Sequence, residues 1–228
     1  MPSLQLQAQD GHLLAAYTTT PAAPTGRAVV VVQEIFGINP HIRSVVEGYA
    51  AAGYLAIAPA LFDRVERGVE LGYAEADMPR ARALRAASPT ELALLDIAAA
   101  VAWARAQGAA RVAVVGFCWG GFLAWKSAQP GSGVNVDAAV PYYGGGIPAD
   151  TATHPGPLAC PVLAHFGKTD PLIPLETVHD FMQARPEVTC HLYDAGHGFN
   201  CDQRGSFDAT SAALARERTL GFLAQHLA

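Results

Sequence analysis

Two runs in this chain, Val29-Val30-Val31-Val32 and Val112-Ala113-Val114-Val115, are apolar at every position. A strand with one wet face alternates polar and apolar residues, so a run without alternation reads as a strand buried on both faces, in a parallel sheet between helices. Further strand-like runs fall at Leu4–Ala8, Leu13–Thr18, Tyr54–Ala58, Val136–Tyr142, Pro161–Phe166 and Val188–Tyr193; the two apolar runs extend to Ala28–Gln33 and Arg111–Gly116. Segments of helical composition near 41–52, 90–107, 120–129, 175–184 and 208–227 alternate with the later strands. The pattern predicts one α/β domain over residues 1–228, with a mostly parallel sheet of about eight strands and helices on both faces, reached by right-handed crossovers. The Gly/Pro-rich stretches 129–133 and 144–157 are expected to be loops within it.

In such a sheet ligands bind beyond the carboxyl ends of the strands. Directly after Val115 comes Gly116-Phe117-Cys118-Trp119-Gly120-Gly121, followed by a helical stretch. This matches a nucleophile elbow with cysteine in the serine position. A sharp strand-to-helix turn strains the central residue and leaves no room for side chains two positions to either side, which explains the glycines. The helix start also aims free N–H groups at the sulfur. Taken alone, the pentapeptide reads equally well as a glycine-rich turn around a buried cysteine, and its partners decide between the two.

Gly196-His197-Gly198-Phe199 follows the last predicted strand, and Gly167-Lys168-Thr169-Asp170-Pro171 the one before. Nucleophile, acid and histidine in that chain order is the α/β-hydrolase order, with Cys118, Asp170 and His197 in the three roles. Asp194 is the competing acid, and Asp-Pro is also a common turn start. Glu34, directly after the valine run, is expensive to bury without a purpose; the bland alternative is a cap on the helix beginning near Asn39.

Other classes fit poorly. A formal net charge of −5 gives no basic field for nucleic acid or an anionic membrane. No run of about 18 apolar residues exists for a membrane span, and the first residues carry no leader pattern, so a cytoplasmic protein is expected. Cys118, Cys160, Cys190 and Cys201 form no C-x-x-C pair or zinc-type doublet, so neither a disulfide framework nor a metal is expected. Redox chemistry between Cys118 and Cys201, and a noncatalytic small-molecule binder on the same scaffold, rank below hydrolysis.

The combination of Gln33-Glu34-Ile35-Phe36-Gly37-Ile38-Asn39, the elbow, Tyr142-Tyr143-Gly144 and Gly196-His197-Gly198-Phe199 resembles the dienelactone hydrolase family, over nearly the whole chain. The resemblance implies a hydrolase that opens a lactone or ester through a thiolate and a thioester, without a cofactor; dienelactone would give maleylacetate. It implies that Glu34 takes the thiol proton when substrate is bound, and that the backbone N–H groups of Ile35 and Trp119 form the oxyanion hole. A carboxylate beside a thiol also discourages thiolate in the idle enzyme, by like-charge repulsion. Relatives acting on dienelactone hold the substrate carboxylate with two arginines. Here Arg204, further along the chain than the pattern suggests, is the candidate for one; for the other, Arg82 stands among Arg80 and Arg85, and the sequence does not choose among the three. Tyr142 and Phe36 are candidates to line the pocket. An anionic small-molecule substrate and a monomer, or alternatively a homodimer, complete the expectation.

Overall fold

The computed structural model describes residues 4–154 and 156–228. Eight strands form one sheet: β1 (Leu4–Gln7), β2 (Leu13–Thr19), β3 (Arg27–Val32), β4 (Leu55–Pro59), β5 (Arg111–Phe117), β6 (Ala138–Tyr142), β7 (Leu163–Gly167) and β8 (Thr189–Tyr193). Their order is β1-β2-β4-β3-β5-β6-β7-β8. The pairs β1–β2 and β2–β4 are antiparallel, and every other pair is parallel. The valine run of β3 is flanked by β4 and β5, in register Val30↔Ile57 and Val30↔Val114, and Val29 to Val32 and Val112 to Val115 have no solvent exposure. Absence of alternation in the sequence is thus burial on both faces in the fold.

Among the described residues six α-helices lie between strands, α1 (Pro40–Ala51), α2 (Met78–Ala86), α3 (Thr90–Ala106), α4 (Trp119–Ser127), α5 (Ile147–Thr153) and α6 (Leu175–Ala184), and α7 (Ala209–His226) follows β8. The chain leaves β3 through α1 toward β4, then returns past β3 through α2 and α3 to β5. Crossovers of one hand but opposite direction put their helices on opposite faces. Accordingly α1 pairs with α7, Arg216 donating to the Gly48 carbonyl at 2.7 Å. On the other face α3 packs against α4, and Trp125 of α4 meets Phe181 of α6 edge-on at 5.5 Å. No single helix among the described residues is long and apolar enough to cross a membrane.

One expectation is corrected, and the bland alternative for Glu34 is set aside. The stretch 144–157 is not all loop, since α5 occupies its middle; Pro155 lies outside the described residues. Glu34 does not cap α1: Asn39 does, its side chain accepting from the Ile42 N–H at 3.2 Å.

Because the chain runs one way from β3 and the other way from β5, the sheet has its topological switch point between them. Their carboxyl ends carry Glu34-Ile35 and Cys118.

Candidate active site

Cys118 stands between β5 and α4 with φ 55° and ψ −114°, a left-handed conformation that a side chain adopts only under constraint. The constraint is steric. A Cβ on Gly116 would lie 1.9 Å from the Gly120 carbonyl oxygen, and one on Gly120 would lie 2.3 Å from that of Val32. The elbow therefore packs backbone against backbone on both sides of the cysteine and lifts its half-buried sulfur above the sheet.

His197 follows β8 and Asp170 follows β7, and they meet with Nδ1 2.8 Å from Oδ2. Asp170 also accepts from the Leu172 N–H at 2.8 Å, which fixes its carboxylate. The competing acid, Asp194, is exposed and pairs with Lys168 at 2.7 Å. Burial works against a charged His197, but the hydrogen bond to Asp170 and the nearby Cys118 sulfur outweigh it and push the imidazole up to about 10. Its other nitrogen, Nε2, is buried without a hydrogen-bond partner. A histidine oriented at one nitrogen and open at the other, beside a thiol, can move a proton to or from a reacting group there.

Glu34 has no solvent exposure. Its Oε2 accepts from the Tyr73 hydroxyl at 2.8 Å and its Oε1 from Arg204 Nη1 at 3.2 Å. Arg204 lies over the rings of Phe36, at 5.8 Å, and Tyr73, at 5.6 Å. Burial would lower its basicity, but Glu34 and Cys118 reverse the effect. The guanidinium occupies space that only glycine leaves free: a Cβ on Gly198 would sit 2.6 Å from Nη1. Neither the Ile35 nor the Trp119 N–H has a backbone acceptor among the described residues, so both donors remain open.

The arginines of α2 separate clearly. Arg80 is exposed and pairs with Glu66, and Arg82 is exposed without a contact to the site. Arg85 is half-buried with its guanidinium over the Trp119 ring at 5.0 Å, and Cys118 is near enough to oppose the lowering that burial imposes on it. The structure thus puts Arg85, not Arg82, at the site. Tyr142 is a second correction. Its hydroxyl lies 2.6 Å from Thr219 Oγ1 beneath α7, well packed and turned away from the thiol. Tyr143, in the left-handed region at φ 37°, turns the other way. Its ring meets His197 edge-on at 5.2 Å, and its buried hydroxyl has no partner. Sequence reasoning passed over both Tyr143 and Tyr73. The first was hidden by its twin next door, and the second lies between predicted elements, without a motif.

The profile of the dienelactone hydrolase family matches residues 14–227. The chain is 35% identical over 228 residues to carboxymethylenebutenolidase from Pseudomonas putida, covering 97% of this chain and 95% of that one. A solved structure of a Klebsiella pneumoniae protein assigned as a dienelactone hydrolase superposes with a TM-score of 0.80 at 32% identity, covering 96% of this chain and 97% of that one. A dienelactone hydrolase-like promiscuous phosphotriesterase from metagenomic libraries shares the fold, with a TM-score of 0.75 at 23% identity and 98% of each chain covered. With the family's profile spanning nearly the whole chain and close relatives aligned end to end, the chain belongs to the dienelactone hydrolase family, a family of lactone and ester hydrolases with the α/β-hydrolase fold.

Proposed function

We propose that this protein hydrolyses a small carboxylate-bearing lactone or ester, dienelactone or a near relative, with Cys118 as the nucleophile and a thioester as the intermediate. One observation carries the reading: the Asp170–His197 pair holds an imidazole whose free nitrogen is buried beside a thiol on a strained elbow. Arg85 and Arg204, cations flanking Cys118 from two directions, support an anionic substrate.

A substrate carboxylate that reaches Arg204 competes with Glu34 for the guanidinium. Glu34, released from one of its two bonds, takes the proton of the Cys118 thiol. The thiolate attacks the carbonyl carbon, and the N–H groups of Ile35 and Trp119 receive the oxyanion. Protonated His197 gives its proton to the leaving oxygen as the C–O bond breaks, which leaves a thioester and a neutral imidazole. That imidazole takes a proton from water as it adds to the thioester; the acid departs, and the sulfur recovers its proton from Glu34. The net change is the addition of one water.

The test is turnover of dienelactone and of p-nitrophenyl acetate by the wild-type and Cys118→Ala proteins, with mass spectrometry of acid-quenched wild type. Expected are loss of turnover in the folded variant and an acyl adduct on Cys118. Undiminished hydrolysis by Cys118→Ala would overturn the reading, and no turnover of any ester or lactone by the wild type would favour a binder on the hydrolase scaffold.

A further inference from the structure

A buried histidine outside the catalytic pair is left half-satisfied. His41, in the first turn of α1, is 3% exposed; its Nδ1 lies 3.0 Å from Asp202 Oδ1, and its Nε2 is buried without a partner. His165 shows what a packing histidine looks like here. It has no exposure, and both of its nitrogens are taken, by the Tyr193 hydroxyl at 2.8 Å and by Thr219 at 3.0 Å. A bare imidazole nitrogen in dry surroundings is costly, and an orphaned polar atom of this kind calls for an explanation. Beside His41 lies Cys201, also without solvent exposure, and the donor atoms of His41, Cys201 and Asp202 all fall within 4.8 Å of one another.

We propose that His41, Cys201 and Asp202 form a binding site for a divalent transition-metal ion of the zinc type, separate from the catalytic cysteine. Imidazole nitrogen, thiolate sulfur and carboxylate oxygen are donors that zinc accepts together, whereas magnesium and calcium prefer oxygen alone. Metal–ligand distances of about 2.0–2.3 Å set tetrahedral edges of roughly 3.3–3.8 Å, so donor atoms within 4.8 Å of one another would have to close by on the order of an ångström around the ion. The Asp202 side chain is 61% exposed, which leaves a fourth position facing water. A cavity of about 420 Å³, lined by His41, Asp202, Asn200, Phe207 and Arg216, gives an entry path. On binding, the Cys201 sulfhydryl loses its proton to solvent, and the sulfur and imidazole lone pairs go to the ion.

The same three residue types also make a nucleophilic triad, but Cys201 fits that role poorly. It has no exposure, its backbone is not in the left-handed region, and no strand-to-helix turn presents it. The position suggests a clamp instead. His41 belongs to α1, whereas Cys201 and Asp202 lie between His197 and Arg204, and the Arg204 N–H donates to the Cys201 carbonyl at 3.1 Å. An ion here would tie α1 to the turn that carries Arg204.

The experiment titrates Co²⁺, and then Zn²⁺, into the Cys118→Ala protein, so that the catalytic thiol does not compete. Expected are one equivalent of Co²⁺ with a thiolate-to-metal charge-transfer band and the strong visible absorption of a four-coordinate ion, displacement by Zn²⁺, and a raised melting temperature. Adding Cys201→Ser abolishes the charge-transfer band, and adding His41→Gln or Asp202→Asn weakens binding about tenfold or more. Circular dichroism of the metal-free variants checks their folding; Asp202→Asn, at the exposed ligand, keeps the test decisive if the buried substitutions unfold. Absence of stoichiometric binding in Cys118→Ala, a charge-transfer band that survives Cys201→Ser, or unchanged affinity in Asp202→Asn would overturn the site.

Discussion

Arg82 and Arg85 are chemically identical and three positions apart on α2, yet of the two it is Arg85 that lies near Cys118. Arg82 is exposed, while Arg85 is held over Trp119, with Nη1 donating to the Ser88 carbonyl at 3.2 Å. A hydrogen bond from a charged group is worth about 1.5–3 kcal/mol, a factor of roughly 10 to 100 in binding. Arg85→Ala is therefore expected to raise KM at least about tenfold for a carboxylate-bearing lactone and to leave p-nitrophenyl acetate unchanged, with Arg82→Ala neutral on both. Steady-state kinetics on the two substrates checks this, and equal effects of the two substitutions would contradict it. The sequence could not choose between these arginines, because the choice depends on which side of α2 lies against Trp119, a tertiary fact. The same holds for Tyr142 and Tyr143, adjacent in the chain, one hydrogen-bonded beneath α7 and the other packed on His197. Residues fixed by local backbone demands were legible instead: Cys118 by its glycines, and Asp170 and His197 by their places after β7 and β8.

The elbow joining β5 to α4 makes a stability prediction of its own. A methyl on Gly120 would press against the carbonyls of Val32, at 2.3 Å, and Gln33, at 2.5 Å, and backbone of a central strand cannot yield as a flexible side chain would. Gly120→Ala is expected to cost about 3 kcal/mol or more, lowering the melting temperature on the order of 10 °C. Gly145→Ala, with nothing within 4 Å of its added Cβ, is the neutral control. Equal melting temperatures for the two variants would mean that the elbow is looser than its contacts indicate. Regular elements were the most legible part of the fold, since each strand of the sheet falls on a run visible in the sequence. Two helices, α2 and α5, lie outside the segments read as helical, and α5 shows why. Its seven residues follow three glycines and begin with Ile147-Pro148, a local signature of a turn. What holds it is tertiary: the Asp150 carboxylate accepts from Trp125 Nε1 at 2.8 Å, Lys126 at 3.0 Å and Gln129 at 2.5 Å, all from α4 or just after it.

Across the whole molecule, two buried histidines on neighbouring strands and loops of one sheet pull the pH dependence of stability in opposite directions. His165 is enclosed by Tyr142, Tyr193 and Thr219; burial, with smaller contributions from His191 and Arg218, holds it well below 6.5. It stays neutral in the fold while the unfolded chain would protonate it, so its share of stability is present above about 6.5 and is lost as pH falls toward the folded value. His197 has the opposite sign. Raised to about 10 against its burial by Asp170 and Cys118, it contributes stability that is fully present below about 6.5 and is lost as pH rises through about 10. Stability should therefore fall on both sides of neutrality for reasons that lie in two separate places. Urea unfolding from pH 5 to 10 tests this with His165→Gln and His197→Gln. The first is expected to flatten the acid limb and the second the alkaline limb. Because His165 touches none of the catalytic side chains, the pH profile of turnover should follow His197 while that of acid unfolding follows His165. An acid limb that survives His165→Gln unchanged would place that titration elsewhere.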